Sequence, residues 1–448
     1  MSRPMYAHGK QRRAFRPSVG YSNIRPRSPG ALFLVWIAAL AAPACGSGGG
    51  EAPARDLAAA TGAAPSQQAV RPGIEVLLTD SLHLVSGVRV GLITNQTGID
   101  AEGRSSIDLL VQHTDVNLVA LFAPEHGIRG TADAGASIAS EVDGPTGLPI
   151  YSLYGQTLSP TRDMLDEIDV LLFDLQDIGA RYYTYVSTMA LSMEAAGRAD
   201  VPFVVLDRPN PVRGDVVQGN VLDPEFATFI GRYPVPMRHG MTAGELARLY
   251  VGEFGIDVDL RVVPLEGWSR ALPFSDTGLP WVAPSPNMPS LESALAYPGT
   301  CLFEGTGLSV GRGTDRAFQW IGAPWLDGAE LATALNRYDL DGVRFEAATF
   351  TPVAPGDGKF AGQSVSGVRL IAESTSFDAP RAAVAMLVEA YRASGANWSW
   401  QTTHFDRLAG TDALRLGIEA GSSAEDLTRD WARQAAEFDA LRRPFLLY

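Results

Sequence analysis

Residues 116–130 read Val116-Asn117-Leu118-Val119-Ala120-Leu121-Phe122-Ala123-Pro124-Glu125-His126-Gly127-Ile128-Arg129-Gly130. An apolar run stops at a proline, and a carboxylate and an imidazole follow side by side. Leu118 to Ala123 is short and uniformly apolar, so it reads as a strand covered on both faces of a parallel sheet rather than one with a wet face. Ligands of open α/β sheets gather in the crevice outside the carboxyl ends of such strands. Glu125 and His126 stand at that end, and Gly127 and Gly130 let the backbone turn tightly, which makes the pair candidates for acid/base chemistry. The competing structural reading is a salt bridge from Glu125 to Arg129, with His126 capping a helix.

Outward from this stretch, strand-like and helix-like segments alternate. Residues 88–95 read as a strand and 107–113 as a helix. After a Gly- and Asp-rich loop over 125–155 come a short helix at 159–168 capped by Ser159, a strand at 170–174, a helix at 186–199 and a strand at 203–207. Thr242 and Glu245 form a capping box opening a helix to about residue 254. Such alternation predicts a Rossmann-like, doubly wound α/β sheet domain over 73–265. No Gly-x-Gly-x-x-Gly turn follows any strand, so no dinucleotide is implied. Residues 264–325 are dense in Pro, Trp and Gly and read as irregular and functional. A helix at 329–337, strands at 343–350 and 365–373, and helices at 379–394, 412–420 and 424–441 predict a smaller C-terminal α/β domain over 266–448.

The first 44 residues carry seven basic side chains and no acid, then an apolar run over 31–42 and Pro43-Ala44-Cys45. That is a secretory signal pattern, with an apolar run too short to span a bilayer. Cys45 before a Gly-Ser-Gly run resembles a bacterial lipobox, in which the cysteine is lipidated, and residues 45–72 read as a flexible tether. The expected destination is the periplasm, with the membrane touched only through a lipid anchor. Losing the leader takes the formal charge from −14 to −21, a field that excludes nucleic acid and anionic lipid as partners of the surface as a whole. Cys301 is then the one cysteine left, so no disulfide framework is available.

Four strand-exit loops end in polar clusters: Thr94-Asn95-Gln96, Glu125-His126, Asp174 to Asp177 running on to Arg181-Tyr182-Tyr183, and Asp207-Arg208-Pro209-Asn210. Carboxylates, amides, Arg and aromatic rings together suit a sugar, whose hydroxyls need donors and acceptors and whose faces lie on rings. Trp281, Trp320 and Trp325 could add platforms. No His-x-x-x-His, Glu-x-x-His or Cys pair appears, so neither a metal nor a cofactor is expected. Gly307-Leu308-Ser309-Val310-Gly311 matches the Gly-x-Ser-x-Gly elbow and could form a serine-esterase triad with Asp378 and His404, although the following glycines discourage the helix an elbow requires. Past residue 44 the only lysine is Lys359. In an arginine-rich chain this points to a substrate contact that a compact ammonium serves better.

The runs GLITNQTG (91–98), FAPEHGIRG (122–130), LPIYSLYG (148–155), DLQDIGARYYTY (174–185), DRPNP (207–211), HGMT (239–242), PSPNMP (284–289) and GRGTD (311–315) together resemble the exo-β-N-acetylmuramidase family once filed as DUF1343. The resemblance covers residues 73–448 and departs at Gly307 and Ser364. It implies a site in the cleft between a Rossmann-like and a C-terminal domain. The implied reaction is release of non-reducing terminal N-acetylmuramic acid from peptidoglycan fragments. The alternatives are the Ser309 esterase and a non-catalytic peptidoglycan-binding lipoprotein. Glycoside hydrolysis usually needs two carboxyl groups, one of them protonated. Glu125 is the expected acid with His126 positioning it, and Asp177, Glu304 and Asp315 compete for the second role. Asn95, Arg181, Tyr182, Arg208, Asn210, His239, Asn287, Arg312, Asp315 and Lys359 are the expected substrate contacts. A cation must meet the lactyl carboxylate. Of Arg181, Arg312 and Lys359, Arg312 is favoured because Gly311 and Gly313 let its backbone bend.

Overall fold

The computed structural model describes residues 69–448. The signal segment, Cys45 and nearly all of the tether lie outside the described residues. In chain order the strands are β1 (Arg89–Thr94), β2 (Asn117–Ala123), β3 (Glu141–Val142), β4 (Pro149–Ser152), β5 (Val170–Asp174), β6 (Phe203–Leu206), β7 (Gln218–Val221), β8 (Pro236–Arg238), β9 (Leu260–Val263), β10 (Trp320–Ala323), β11 (Val343–Phe350) and β12 (Val365–Ala372). Seven of them form one sheet in the order β3-β4-β2-β1-β5-β6-β9. All its pairings are parallel except β3 with β4 at the edge. The chain leaves β1 to build β2 and β4 on one side, then returns to lay β5 on the other. This reversal puts a topological switch point beside β1, where the carboxyl ends open a crevice.

Side chains alternate across the sheet, and both faces are dry. Val90, Leu92, Leu121, Leu172 and Val204 pack with Ile74, Leu77, Ile107 and Leu110 on one face. Ile93, Phe122, Phe173 and Val205 pack with Met189, Met193 and Leu246 on the other. That second core runs on without a break into the C-terminal part, through Tyr297, Phe303, Val368 and Leu387. There β10, β12 and β11 form an antiparallel sheet covered by the helix Gly328–Asn336.

The capping box of Thr242 and Glu245 opens the helix Ala243–Gly252 as expected, and β11 and β12 match the strands expected over 343–350 and 365–373 to within a residue. Elsewhere the structure differs. The short helix is Arg162–Leu165, capped by Thr161 rather than Ser159, because the Thr161 hydroxyl accepts the Met164 N–H. The loop over 125–155 contains β3 and β4. The irregular stretch contains a ten-residue helix, Leu291–Thr300, capped by Ser290. Pro298 hides it from a propensity reading, since proline inside a helix removes a hydrogen bond. Gly299 is needed there, because a Cβ would sit 2.0 Å from the Ala379 carbonyl oxygen. The last helix is broken into Ala424–Thr428 and Trp431–Arg442. None of the described helices is long and apolar enough to cross a membrane.

Candidate active site

Beyond β2 the backbone makes a tight turn in which the Gly127 N–H donates to the Pro124 carbonyl at 3.0 Å. His126 occupies its third position at φ 73° and Gly127 follows at 77°. A non-glycine residue in that region costs about 1–2 kcal/mol, a strain found where geometry serves a site. Gly130 completes the bend, since any Cβ there would collide with Gln96. The turn aims both side chains into a cleft of about 450 Å³, a normal size for a small-ligand site.

Glu125 is 6% exposed. Its Oε1 accepts the Gly135 N–H at 2.9 Å and its Oε2 the Thr184 hydroxyl at 2.6 Å. Tyr154 lies against the same carboxyl group. Burial, then the charge of Glu125, pushes the phenol up to about 12, so it stays a neutral donor. The Nδ1 of His126 lies 2.7 Å from the Ala132 carbonyl. A carbonyl only accepts, so Nδ1 carries the proton in the neutral ring and Nε2 is left as an acceptor. The salt bridge to Arg129 is not formed, because Arg129 pairs with Asp143 instead.

The C-terminal part supplies the opposite side. Glu304 lies in a 3₁₀ turn, Cys301–Gly305, and its Oε1 accepts from Arg312 Nε at 2.6 Å and pairs with Nη2 at 2.5 Å. Gly311 and Gly313, at φ 73° and 76°, bend the chain around Arg312, whose guanidinium also lies 5.5 Å over the Phe318 ring. Burial disfavours the Arg312 cation, but Glu304 more than offsets this and holds its pKa above the usual value. Lys359 also lines the cleft, together with Asn287 and His404. Between the two sides lies a herringbone of rings. Tyr183 meets Tyr297 edge-on at 5.7 Å, Tyr297 meets Phe318 at 4.6 Å, and Tyr182 packs on Tyr297 at 5.6 Å.

Of the expected site residues, Glu125, His126, Tyr182, Asn287, Glu304, Arg312 and Lys359 thus meet in one cleft. The others do not reach it, and each has a visible reason. Asn95 donates to the Tyr185 hydroxyl and accepts from Thr97. Arg181 lies inside the protein, where Nη1 and Nη2 donate to the carbonyls of Asn220, Val235, Leu408 and Ala409. Arg208 forks onto Asp174 and also binds the Ile99 carbonyl. Asn210 braces its own turn, accepting from Val212 and donating to the Met241 carbonyl. Asp177 and His239 face each other at 3.5 Å within the interior behind the cleft wall. The Asp315 carboxylate points to solvent, 80% exposed. None of Trp281, Trp320 and Trp325 lines the cleft. Trp320 stacks on Phe350 in the small sheet.

The esterase triad is not assembled. The Ser309 hydroxyl is buried and accepts the Gly311 N–H, and Asp378 caps the helix Ala379–Ser394. No hydrogen bond joins Ser309 to His404 among the described residues. Tyr154, Thr184, Tyr297 and Gln401 line the cleft but carried no local sequence signal. Tyr154 and Thr184 do stand inside motifs that held better-marked neighbours. Three acidic side chains outside the cleft, Glu75, Asp100 and Glu102, could approach a common ion. Glu75 and Asp100 are each already paired with an arginine.

The chain matches exo-β-N-acetylmuramidase NamZ in two parts, the N-terminal region over residues 90–292 and the C-terminal region over 295–448. A peptidoglycan β-N-acetylmuramidase NamZ from Bacillus subtilis (strain 168) is 45% identical over 381 residues, which is 85% of this chain and 91% of that protein. Two crystal structures of DUF1343 family proteins from Bacteroides fragilis NCTC 9343 share the fold. One has a TM-score of 0.78 at 36% identity and the other 0.68 at 31%, each covering 85% of this chain and 99% of its own. This chain therefore belongs to the exo-β-N-acetylmuramidase family, formerly DUF1343.

Proposed function

We propose that this chain hydrolyses the glycosidic bond of a non-reducing terminal N-acetylmuramic acid in peptidoglycan fragments, with Glu125 as general acid and Glu304 as the second carboxyl group. The observation that carries the reading is that two carboxyl groups, one after a parallel-sheet strand and one from the C-terminal part, line a single aromatic-walled cleft. Their surroundings differ in the way the chemistry needs. Glu304 is joined to the Arg312 guanidinium, and a protonated carboxyl would leave that cation without its partner, so Glu304 takes the charged role. Glu125 faces only neutral donors, and the Thr184 hydroxyl can reverse its bond to accept from a protonated Oε2. Glu125 can therefore carry a proton to the leaving oxygen while Glu304 stays charged. His126 positions Glu125 through the turn they share. The rings of Tyr183 and Tyr297 on the cleft wall suit the apolar face of a pyranose.

The test is to incubate the chain with a disaccharide bearing N-acetylmuramic acid at its non-reducing end and with one bearing N-acetylglucosamine there. Release of free N-acetylmuramic acid from the first only, lost in both Glu125→Gln and Glu304→Gln, is the expected outcome. Retention of intact fragments without cleavage would leave the binding-lipoprotein reading instead.

Cys45 and the Gly-rich segment after it support a lipid-anchored enzyme facing the periplasm. Cys45→Ala should convert a membrane-pelleting protein into a soluble or unprocessed one. Unchanged fractionation with normal processing would favour simple secretion.

A further inference from the structure

The connection between β11 and β12 brings Lys359 to the cleft, and among the described residues no carboxylate forms a salt bridge with it. The Lys359 Nζ donates to the Leu308 carbonyl at 3.0 Å and to those of Phe303 and Glu304 at 3.4 Å each. The last two are at the weak end of the hydrogen-bond range. Asp357 accepts from the Lys359 backbone N–H at 3.1 Å rather than from the ammonium. The backbone turns through left-handed conformations on either side of this position, with Gly358 at φ 70° and Phe360, a residue with a side chain, at φ 54°. Such backbone strain persists only where the surroundings over-determine it. Burial lowers the pKa of Lys359, and the charges of Asp357 and Glu304 only partly oppose this.

The two cations of the cleft therefore differ. Arg312 is neutralised by Glu304, whereas Lys359 is a partly buried charge whose hydrogen-bond acceptors among the described residues are backbone carbonyls. Burial pushes the nearby His404 imidazole down, so it adds no charge at neutral pH. An unpaired buried charge is costly until an anion meets it. Hydroxyls and an acetamide, which every N-acetylhexosamine carries, do not supply one. The lactyl ether of N-acetylmuramic acid does, through a carboxylate ionised at neutral pH.

We propose that Lys359, and not Arg312, is the specificity-determining residue of the cleft, its ammonium pairing with the lactyl carboxylate of N-acetylmuramic acid. The proposal rests on the glycosidase reading above. The competing role for Lys359 is purely structural, pinning its loop to the 3₁₀ turn, and that role is indifferent to the charge of the ligand.

Two substrates separate these roles: an aryl β-N-acetylmuraminide with a free lactyl carboxylate, and its lactyl methyl ester, which has nearly the same bulk and no charge. The measurement is kcat/KM on both for wild type, Lys359→Met and Lys359→Gln. The glutamine keeps a donor for the same carbonyls in case methionine impairs folding, and thermal midpoints check the fold of each variant. Wild type should prefer the free acid by at least about thirtyfold, the lower bound for losing one member of a buried charge pair. Either folded variant should bring the two substrates within about threefold of each other. A preference that survives in the variants, or a loss equal on both substrates, overturns the proposal. Equal wild-type rates on the two substrates sink it while leaving the glycosidase reading intact. Failure of wild type to cleave either one removes both.

Discussion

Replacing Arg312 with methionine leaves Glu304 charged, largely enclosed and without its partner. The pair is joined through Nε and Nη2 onto one carboxylate oxygen, with side chains only 11% and 17% exposed. Breaking a buried pair by removing one member costs about 3–5 kcal/mol. The residual exposure lets water reach Glu304, which puts the expectation near the low end, about 3 kcal/mol. Loss of the contact with Phe318 adds roughly 0.5–1 kcal/mol. Removing both charges should cost less than the sum of the single changes. A double-mutant cycle of Arg312→Met, Glu304→Gln and the combination should therefore return a coupling of about 2 kcal/mol. Urea unfolding followed by tryptophan fluorescence measures it, provided the m-values of the four proteins agree. The same Arg312→Met protein should lose turnover on the muramic disaccharide, because Glu304 no longer has a fixed orientation. An Arg312→Met variant within about 0.5 kcal/mol of wild type, or strict additivity in the cycle, would refute the claim that this ion pair organises the second carboxylate.

Asp207, fully buried and hydrogen-bonded by Thr242, Gly244 and Tyr448, should make the fold less stable as pH rises. Burial raises its pKa from 3.8 to about 6 against those hydrogen bonds. A raised folded pKa means that stability is fully present below 3.8 and is lost through about 6. This amounts to about 3 kcal/mol, and Asp207→Asn should remove that much of the pH dependence between pH 4 and 7. Parallel urea midpoints against pH for the two proteins would contradict it. Arg181→Met should cost at least about 3 kcal/mol, since four carbonyls lose a charged donor. The folded fraction should keep its KM, because Arg181 lies outside the cleft; a raised KM at unchanged stability would return it to the substrate.

The strand carrying the site was legible because Pro124 cuts an apolar run immediately before Glu125, so chain direction and residue type agreed. The other strand exits looked equally functional in sequence. Asp174, Arg208, Asn95 and Asn210 belong to the same residue types, yet inside the structure they join loops to one another. Burial separates the two uses, and burial at a loop depends on which distant segment covers it. Glu304 stood out from Asp177 and Asp315 only once the helix Leu291–Thr300, masked by Pro298, set the 3₁₀ turn against the cleft. Tyr297, Gln401 and His404 arrive from segments far apart in the chain, and no periodicity links them. The preference for Arg312 as the free cation meets a related obstacle in its ion pair with Glu304. Flexible glycines beside it were visible in sequence, but the carboxylate that neutralises it, eight residues earlier, was visible only as a competitor for catalysis.

Whether Glu125 donates the proton to the leaving oxygen is read from how its replacement depends on the leaving group. A 2,4-dinitrophenolate departs without protonation, whereas a sugar hydroxyl needs it. Glu125→Gln should therefore lose at least about a hundredfold in turnover on the N-acetylmuramic acid disaccharide, the scale of a missing general acid. On 2,4-dinitrophenyl β-N-acetylmuraminide it should lose less than about tenfold. Equal losses on the two substrates, or near-wild-type turnover on the disaccharide, would contradict the assignment.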